Sequence, residues 1–186
     1  TLEQMDEVRK KESEFMDLVS EISSELELTS LLSKIISTIT TMLDAERSSL
    51  FINDEKTNEL YTLMGEGLSK ELRFPNHVGI AGHVFCSGET VNIPHAYADL
   101  RFNPAVDKTT GFFTRSMLCT PVKNKEGKII GVSQVLNKRG GGFSDEDVSR
   151  LTAFTSQISI GIENASLFDN IQNLMHYNES MLNSMS

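Results

Sequence analysis

Apolar and polar positions change period twice along this chain. Over residues 2–26, Leu2, Met5, Val8, Phe15, Leu18, Val19, Ile22 and Leu26 fall at helical spacing among acidic and basic residues, with no glycine or proline between them. That pattern predicts an amphipathic helix with an imperfect heptad. Thr29 and Ser30 are expected to cap a second helix reaching about residue 43, with Leu31, Leu32, Ile35, Ile36, Ile39, Met42 and Leu43 as a broad apolar face. From residue 46 the period becomes two: ERSSLFIN places Arg47, Ser49 and Phe51 on one face and Ser48, Leu50 and Ile52 on the other. A polar turn over 53–58 leads to a second strand at 59–64, in hairpin fashion, and a third short strand is predicted near 71–74. Strands return at 116–122 and 128–136, joined by a turn ending in Gly127. The helical period then resumes. Ser144 is the expected cap, Asp145, Glu146 and Asp147 fill the first turn, and Val148, Leu151, Phe154, Ile158, Ile162, Ala165, Phe168 and Ile171 form the apolar stripe, extended by Met175, Met181 and Leu182. A helix of roughly 50 Å exceeds what a core of this size needs. Its far end, like the first charged helix, is therefore assigned to pairing with a second copy and to linking neighbouring domains.

Between these regimes lies GIAGHVFCSGETVNIPHAYADLRFNPAVDKTTGFFTR, residues 79–115. Two short helical turns, 80–85 and 108–111, sit in loop sequence bracketed by strands, as in a lid over a small-ligand pocket. Gly79, Ile80, Ala81 and Gly82 place small residues at a helix start, where unpartnered backbone N–H groups can hold a phosphate without a lysine. Asp107, Thr109, Thr110 and Thr114 put short hydrogen-bonding side chains around the second turn. Phe102, Phe112 and Phe113 offer cover for an aromatic or apolar ligand face, or simple lid packing. Phosphate donors, hydroxyls and aromatic cover together suit a nucleotide. The same features also occur in ordinary loops.

Length and charge narrow the choice. The 186 residues suffice for one domain of ordinary size with extra helix. A net charge of −9 argues against a counterion-release grip on nucleic acid or an anionic membrane, so an anionic ligand must rely on local dipoles and single side chains. Without a signal peptide or an apolar run of spanning length, a cytoplasmic location is expected. Asn164 and Asn178 match the glycosylation pattern inside a helix and are read as chance. Cys86 and Cys119, the only cysteines, lack CxxC or Cys/His spacing, and four scattered histidines suggest no metal site. No Ser/His/Asp set or catalytic carboxylate pair stands out, so nothing in the residues points to an enzyme.

The succession GIAGHV, NIPHAYADLRFN, VDKTTGFFTRSMLCTPV and VLNK resembles the GAF domains, in particular the cyclic-nucleotide-binding kind found in phosphodiesterases and cyanobacterial adenylyl cyclases. The resemblance covers about residues 29–168. It leaves 1–28 as a linker or dimerisation helix and 169–186 as a helical linker to a following domain, the tail MHYNESMLNSMS being similar to the lead-in of a PAS domain. It implies an α+β fold: a central antiparallel sheet with long N- and C-terminal helices on one face and a ligand lid on the other. It further implies that Arg47 and Ser49 face the base, that Ile80 and Ala81 give backbone N–H groups to the cyclic phosphate, and that Asp107, Thr110 and Thr114 line the lid.

The family motif of Asn-Lys followed by Phe, Asp and Glu corresponds to Asn137, Lys138, Phe143, Asp145 and Glu146, with only Ser144 where the family places three residues. An ion pair of Lys138 with Asp145 is expected to anchor the lid, with Glu146 or Asp147 as alternative partners. Gln134 stands where binders of cyclic GMP carry a carboxylate. Adenine's N1 acceptor and N6 donor suit an amide and hydroxyls, whereas guanine's N1–H and N2 donors favour a carboxylate. The resemblance thus implies a regulatory domain rather than an enzyme, with cyclic AMP, favoured over cyclic GMP, as ligand, no covalent cofactor, and a homodimer controlling an attached adenylyl cyclase through its terminal helices. Three alternatives are weighed: a ligand-free dimerisation and signal-transmission module, a GAF-type methionine sulfoxide reductase, and a chromophore sensor. The reductase needs suitably placed thiols, which two core-like cysteines do not supply. The usual bilin attachment is missing because Cys86 precedes Ser87 and Gly88 rather than a histidine.

Overall fold

A computed structural model describes the backbone of residues 1–67 and 71–184 and the side chains of residues 1–19, 27–67 and 71–165. In chain order the elements are α1 (Leu2–Met42), β1 (Ala45–Asp54), β2 (Glu59–Glu66), β3 (Arg73–Pro75), α2 (Gly79–Ser87), β4 (Val91–Ile93), a 3-10 turn (Ala96–Ala98), α3 (Ala105–Thr110), β5 (Met117–Lys123), β6 (Ile129–Lys138) and α4 (Asp145–Ser184). This is an α+β fold. The strands form one sheet in the order β3-β2-β1-β6-β5-β4, every neighbouring pair antiparallel.

The contacts divide the chain into two units. Leu32–Ile160 holds the whole sheet, and Thr1–Leu31 with Gly161–Ser186 forms the other. Within the sheet the pairing sorts side chains by face, because directly paired residues project to the same side. Leu118, Val135 and Ser48 share one row, and Cys119, Gln134 and Ser49 share the adjacent row on the opposite face. A core of Phe51, Leu60, Ile80, Val84, Met117, Val132 and their neighbours joins α2 to this second face. Leu32, Ile36, Ile39 and Leu43 of the α1 end and Leu151 and Ile158 of α4 are fully buried as well. β1 and β6 approach so closely at Gly131 that a Cβ there would lie 2.2 Å from the Phe51 carbonyl oxygen, which excludes any side chain.

Three expectations are corrected. Thr29 and Ser30 cap nothing: α1 runs unbroken through them. A Thr-Ser pair without glycine or proline, flanked by leucines, gives too weak a stop to end a helix. β4, read as lid loop, is a three-residue strand on β5. The lid helix spans Ala105–Thr110, starting and ending earlier than expected. The start of α4 is capped reciprocally, the Ser144 N–H donating to Asp147 Oδ2 (2.9 Å) and the Asp147 N–H to Ser144 Oγ (3.1 Å).

In the second unit Leu2, Met5, Val8, Phe15, Met16, Leu18 and Val19 are between 40% and 81% exposed, a large apolar stripe. At Gly161 its two segments approach closely, since a Cβ would sit 3.1 Å from Leu31 Cδ2. The side chains of Ile22, Leu26, Phe168, Ile171, Met175, Asn178, Met181 and Leu182, invoked above, lie outside the described residues. Among the described residues no helix is long and apolar enough to cross a membrane.

Candidate functional site

Strand alternation and a glycine-led helix start build a cavity on the α2 face of the sheet. Its volume is about 720 Å³, open mouth included. Arg47, Ser49 and Phe51 come from β1, Gln134 and Leu136 from β6, Met117 from β5, Gly79, Ile80 and Ala81 from α2, and Phe102, Asn103, Val106, Asp107, Phe112 and Thr114 from the lid. Arg47, Ser49, Ile80, Ala81, Asp107, Thr114 and Gln134 are thus brought together. Thr110 is not among the lining residues: its hydroxyl donates to the Val106 carbonyl inside α3 (2.9 Å).

One wall is the start of α2. Val78 is extended, with no side-chain cap, and Gly79 takes φ 73, a left-handed conformation that lets the chain turn into the helix. The first bond back across this turn is Gly82 N–H to the Val78 carbonyl (3.2 Å). Among the described residues no group accepts from the N–H of Gly79, Ile80 or Ala81, which leaves three donors at the positive end of a helix dipole. A second part of the lining is the Ser49–Gln134 pair on neighbouring strands. Ser49 is only 3% exposed, yet among the described residues neither its hydroxyl nor Gln134 Nε2 has a hydrogen-bond partner. No fully enclosed side-chain polar atom among the described residues lacks a partner, so both of these groups must open onto the cavity. The Arg47 guanidinium lies 3.8 Å from the Phe112 ring centroid, so one cation is stacked beneath the lid.

The lid is latched by Asp107, which is buried. Its Oδ2 accepts from the Tyr97 hydroxyl and the Thr114 N–H, and its Oδ1 from the Thr114 hydroxyl, all at 2.8 Å. The hydrogen bond to this carboxylate raises the Tyr97 pKa above its ordinary value. Tyr97 also stacks on Phe113 at 5.0 Å and meets Phe102 at 4.9 Å. Phe102 and Phe112 line the cavity, while Phe113 is exposed outside it. Neither Tyr97 nor Asn103 is singled out by sequence pattern. For Tyr97 the available signal is an aromatic hydroxyl ten residues before a lid carboxylate.

Asn137 and Lys138 tie this architecture together. Asn137 is fully buried at φ 59. Its Nδ2 donates to the Phe113 carbonyl (2.9 Å) and Glu46 Oε2 (3.0 Å), and its Oδ1 accepts from the N–H groups of Arg115 (2.6 Å) and Ser116 (3.2 Å). Hydrogen bonds from Arg115 and then Asn137 lower the Glu46 pKa. Lys138 pairs with Asp147 at 2.7 Å and donates to the Leu43 carbonyl at 3.1 Å. The expected pairing of Lys138 with Asp145 is thereby corrected, and of the two alternatives it is Asp147 that takes the role. Asp145 is exposed, and Glu146 pairs with Arg150 one turn on. Three residues, Ser144 to Glu146, separate Phe143 from Asp147, so Asp147 satisfies the motif spacing that Asp145 breaks. Burial alone would raise the Asp147 pKa, but the Lys138 ammonium and the Ser144 bonds outweigh it and hold it low. Phe143 is buried, and its carbonyl accepts from Asn92 Nδ2 of β4 (2.9 Å).

Compared with known protein families, residues 27–162 match the GAF domain. The chain is 40% identical over 168 residues to a dual 3',5'-cyclic-AMP and -GMP phosphodiesterase 11A of Takifugu rubripes, covering 83% of this chain and 19% of the relative. It is 37% identical over 199 residues to a dual phosphodiesterase 11 of Drosophila melanogaster, covering 97% of this chain and 13% of the relative. The chain thus spans less than a fifth of the length of either phosphodiesterase. Among solved structures, the GAF domain of a phosphoenolpyruvate-protein phosphotransferase from Coxiella burnetii has a TM-score of 0.68 at 20% identity, covering 81% of this chain and 95% of that one. The chain belongs to the GAF domain family.

Proposed function

We propose that this GAF domain binds a cyclic nucleotide, cyclic AMP in preference to cyclic GMP, in the cavity beneath the latched lid. The observation that carries the reading is the pairing of two unsatisfied walls. Among the described residues, three unpartnered N–H groups of α2 suit a cyclic phosphate, and the unpartnered Ser49 hydroxyl and Gln134 Nε2 suit a purine edge. Arg47 and Phe112 supply charge and ring face between them. Binding would then favour one arrangement of the terminal helices, whose exposed apolar stripe pairs with that of a second copy. The controlled partner is an enzyme of cyclic-nucleotide turnover. An adenylyl cyclase is the expectation from the sequence, while the similar relatives are phosphodiesterases.

Thermal unfolding tests this directly, using protein unfolded and refolded to remove carried ligand and then mixed with cyclic AMP, cyclic GMP or AMP. Ligand at a hundred times its dissociation constant adds about 2.7 kcal/mol, a shift of several degrees. A shift selective for cyclic AMP supports the proposal, and no shift with any of the three refutes it. The Asp107 latch, made wholly of protein groups, favours a second reading in which the lid stays closed and the domain only dimerises and transmits.

A further inference from the structure

We infer that Cys119 is a positioning residue that fixes which end of the Gln134 carboxamide faces the cavity, and so sets the hydrogen-bond polarity the site demands of a base. The inference rests on the cyclic-nucleotide reading for its ligand, but not for its geometry. Cys119, Gln134 and Ser49 are direct cross-strand partners in one row of β5, β6 and β1. Ser49 and Gln134 line the cavity, whereas Cys119 is completely buried beside them. Its Sγ lies 3.4 Å from Gln134 Oε1 and donates to it.

Two physical facts make the contact directional. A thiol hydrogen is a donor, and sulfur accepts more weakly than oxygen, so the carboxamide settles with its oxygen on sulfur and its NH2 turned away. Burial pushes the Cys119 thiol pKa far up, so the proton stays on sulfur throughout the ordinary pH range. What remains toward the cavity is Nε2, with no acceptor among the described residues, beside the Ser49 hydroxyl, also without a partner there. This floor gives a hydrogen bond at Gln134 and can accept one at Ser49. An adenine edge fits it, with N1 accepting from Nε2–H and N6–H donating to Ser49 Oγ. A guanine N1–H and N2–H2 edge sets donors against a donor. If the carboxamide were free to turn, Oε1 would accept from those groups and the discrimination would fade.

The test uses the whole chain with cyclic AMP, cyclic GMP and 1-deaza cyclic AMP, which lacks the N1 acceptor, in parental protein and in Cys119→Ala and Cys119→Ser. Calorimetric dissociation constants are read as ratios, since a merely structural loss weakens every ligand alike. Parental protein should prefer cyclic AMP over its 1-deaza analogue by about tenfold, the net worth of one hydrogen bond in a buried site. In Cys119→Ala the preference for cyclic AMP over cyclic GMP should fall by a similar factor. Cys119→Ser, which keeps a donor, should retain it. Equal ratios in the parent and the alanine variant overturn the inference, as does a serine variant that behaves like alanine. The orientation is read separately, by NMR without nucleotide. In the parent, cross-relaxation between the Gln134 Nε2 protons and the Cys119 β-protons should be weak, and in Cys119→Ala it should strengthen to the β-methyl protons at that position once the thiol is gone. Signals of equal strength in the parent and the alanine variant overturn the inference whatever binds. If no nucleotide binds the parent, the cyclic-nucleotide reading falls and the selectivity claim with it, while the NMR result still decides the positioning role.

Discussion

Replacing Asn137 by alanine removes side-chain hydrogen bonds to four groups at once: the Arg115 and Ser116 N–H groups, the Phe113 carbonyl and the Glu46 carboxylate. Ser116 is 2% exposed, so its N–H has no water to turn to. Leaving a buried donor or acceptor unpaired costs about 1–3 kcal/mol each. Alanine at φ 59 adds about 1–2 kcal/mol, since a Cβ disfavours the left-handed region that asparagine tolerates. Counting one fully buried donor, one partly solvated group and the backbone term, the expected loss is about 3–6 kcal/mol, a large share of the stability of an ordinary domain. For a chain of this length that lowers the melting temperature by roughly 10 °C or more. Urea unfolding followed by far-ultraviolet circular dichroism measures it, with intrinsic tyrosine fluorescence as a second probe to check that one transition is observed. Asn137→Gly makes the decomposition sharp. It loses the same hydrogen bonds but not the left-handed conformation, and should recover about 1 kcal/mol relative to alanine. A loss below about 1 kcal/mol in Asn137→Ala would refute the reasoning, because the unsatisfied backbone groups alone exceed that.

Other outcomes follow from the same contacts. The carboxyls of Glu46 and Asp147 are held low, and Arg101 takes Asp99 to about 2, so their contribution is present above the unfolded value near 4 and is lost as pH falls through the lower folded values. The urea midpoint should therefore drop between about pH 4 and pH 2. Asp147→Asn should lower stability at pH 6 and flatten that acid slope, and an unchanged slope would exclude Asp147 as a contributor. Gly131→Ala, with its Cβ against the Phe51 carbonyl, should cost about 3 kcal/mol or more, or yield no folded protein; near-parental stability would contradict the strand spacing. Thr114→Val should weaken nucleotide binding about tenfold by loosening the latch, whereas Thr110→Val, altering a hydroxyl outside the cavity, should leave it within a factor of about two. Deleting residues 2–25 should shift the sedimentation coefficient to that of a monomer, and an unchanged oligomeric state would remove the role given to the exposed stripe of α1.

Strand-borne parts of the site are the most legible in sequence. A period of two leaves no latitude, so once residues 46–53 are read as a strand, Arg47, Ser49 and Phe51 have to share a face, and in the structure they line one cavity. The α2 donors are legible for a related reason, since glycine and small residues mark a helix start whatever surrounds it. Contacts closed by tertiary packing are not legible. The Tyr97–Asp107 bond joins two ends of a lid whose path no local pattern specifies. Lys138 selects Asp147 rather than Asp145 because the capping exchange with Ser144 holds Asp147 back over the start of α4, while Asp145 at the first helical position faces solvent. The unbroken α1 shows a similar limit: cap residues signal a boundary only when something else also stops the helix.

Asn137 and Lys138 share a peptide bond, yet they answer to different parts of the unit. The first holds Phe113, Arg115 and Ser116 at the exit of the lid, and the second holds the Leu43 carbonyl after α1 and Asp147 at the start of α4. The peptide between them is planar, so their two Cα atoms stay at a fixed separation. The end of β6 is therefore a shared anchorage, where the lid exit and the starts of β1 and α4 are tied to adjacent residues of one strand. Two seams of the unit thus hang on a span of two residues, and a substitution at either one loosens its own seam beside an intact neighbour.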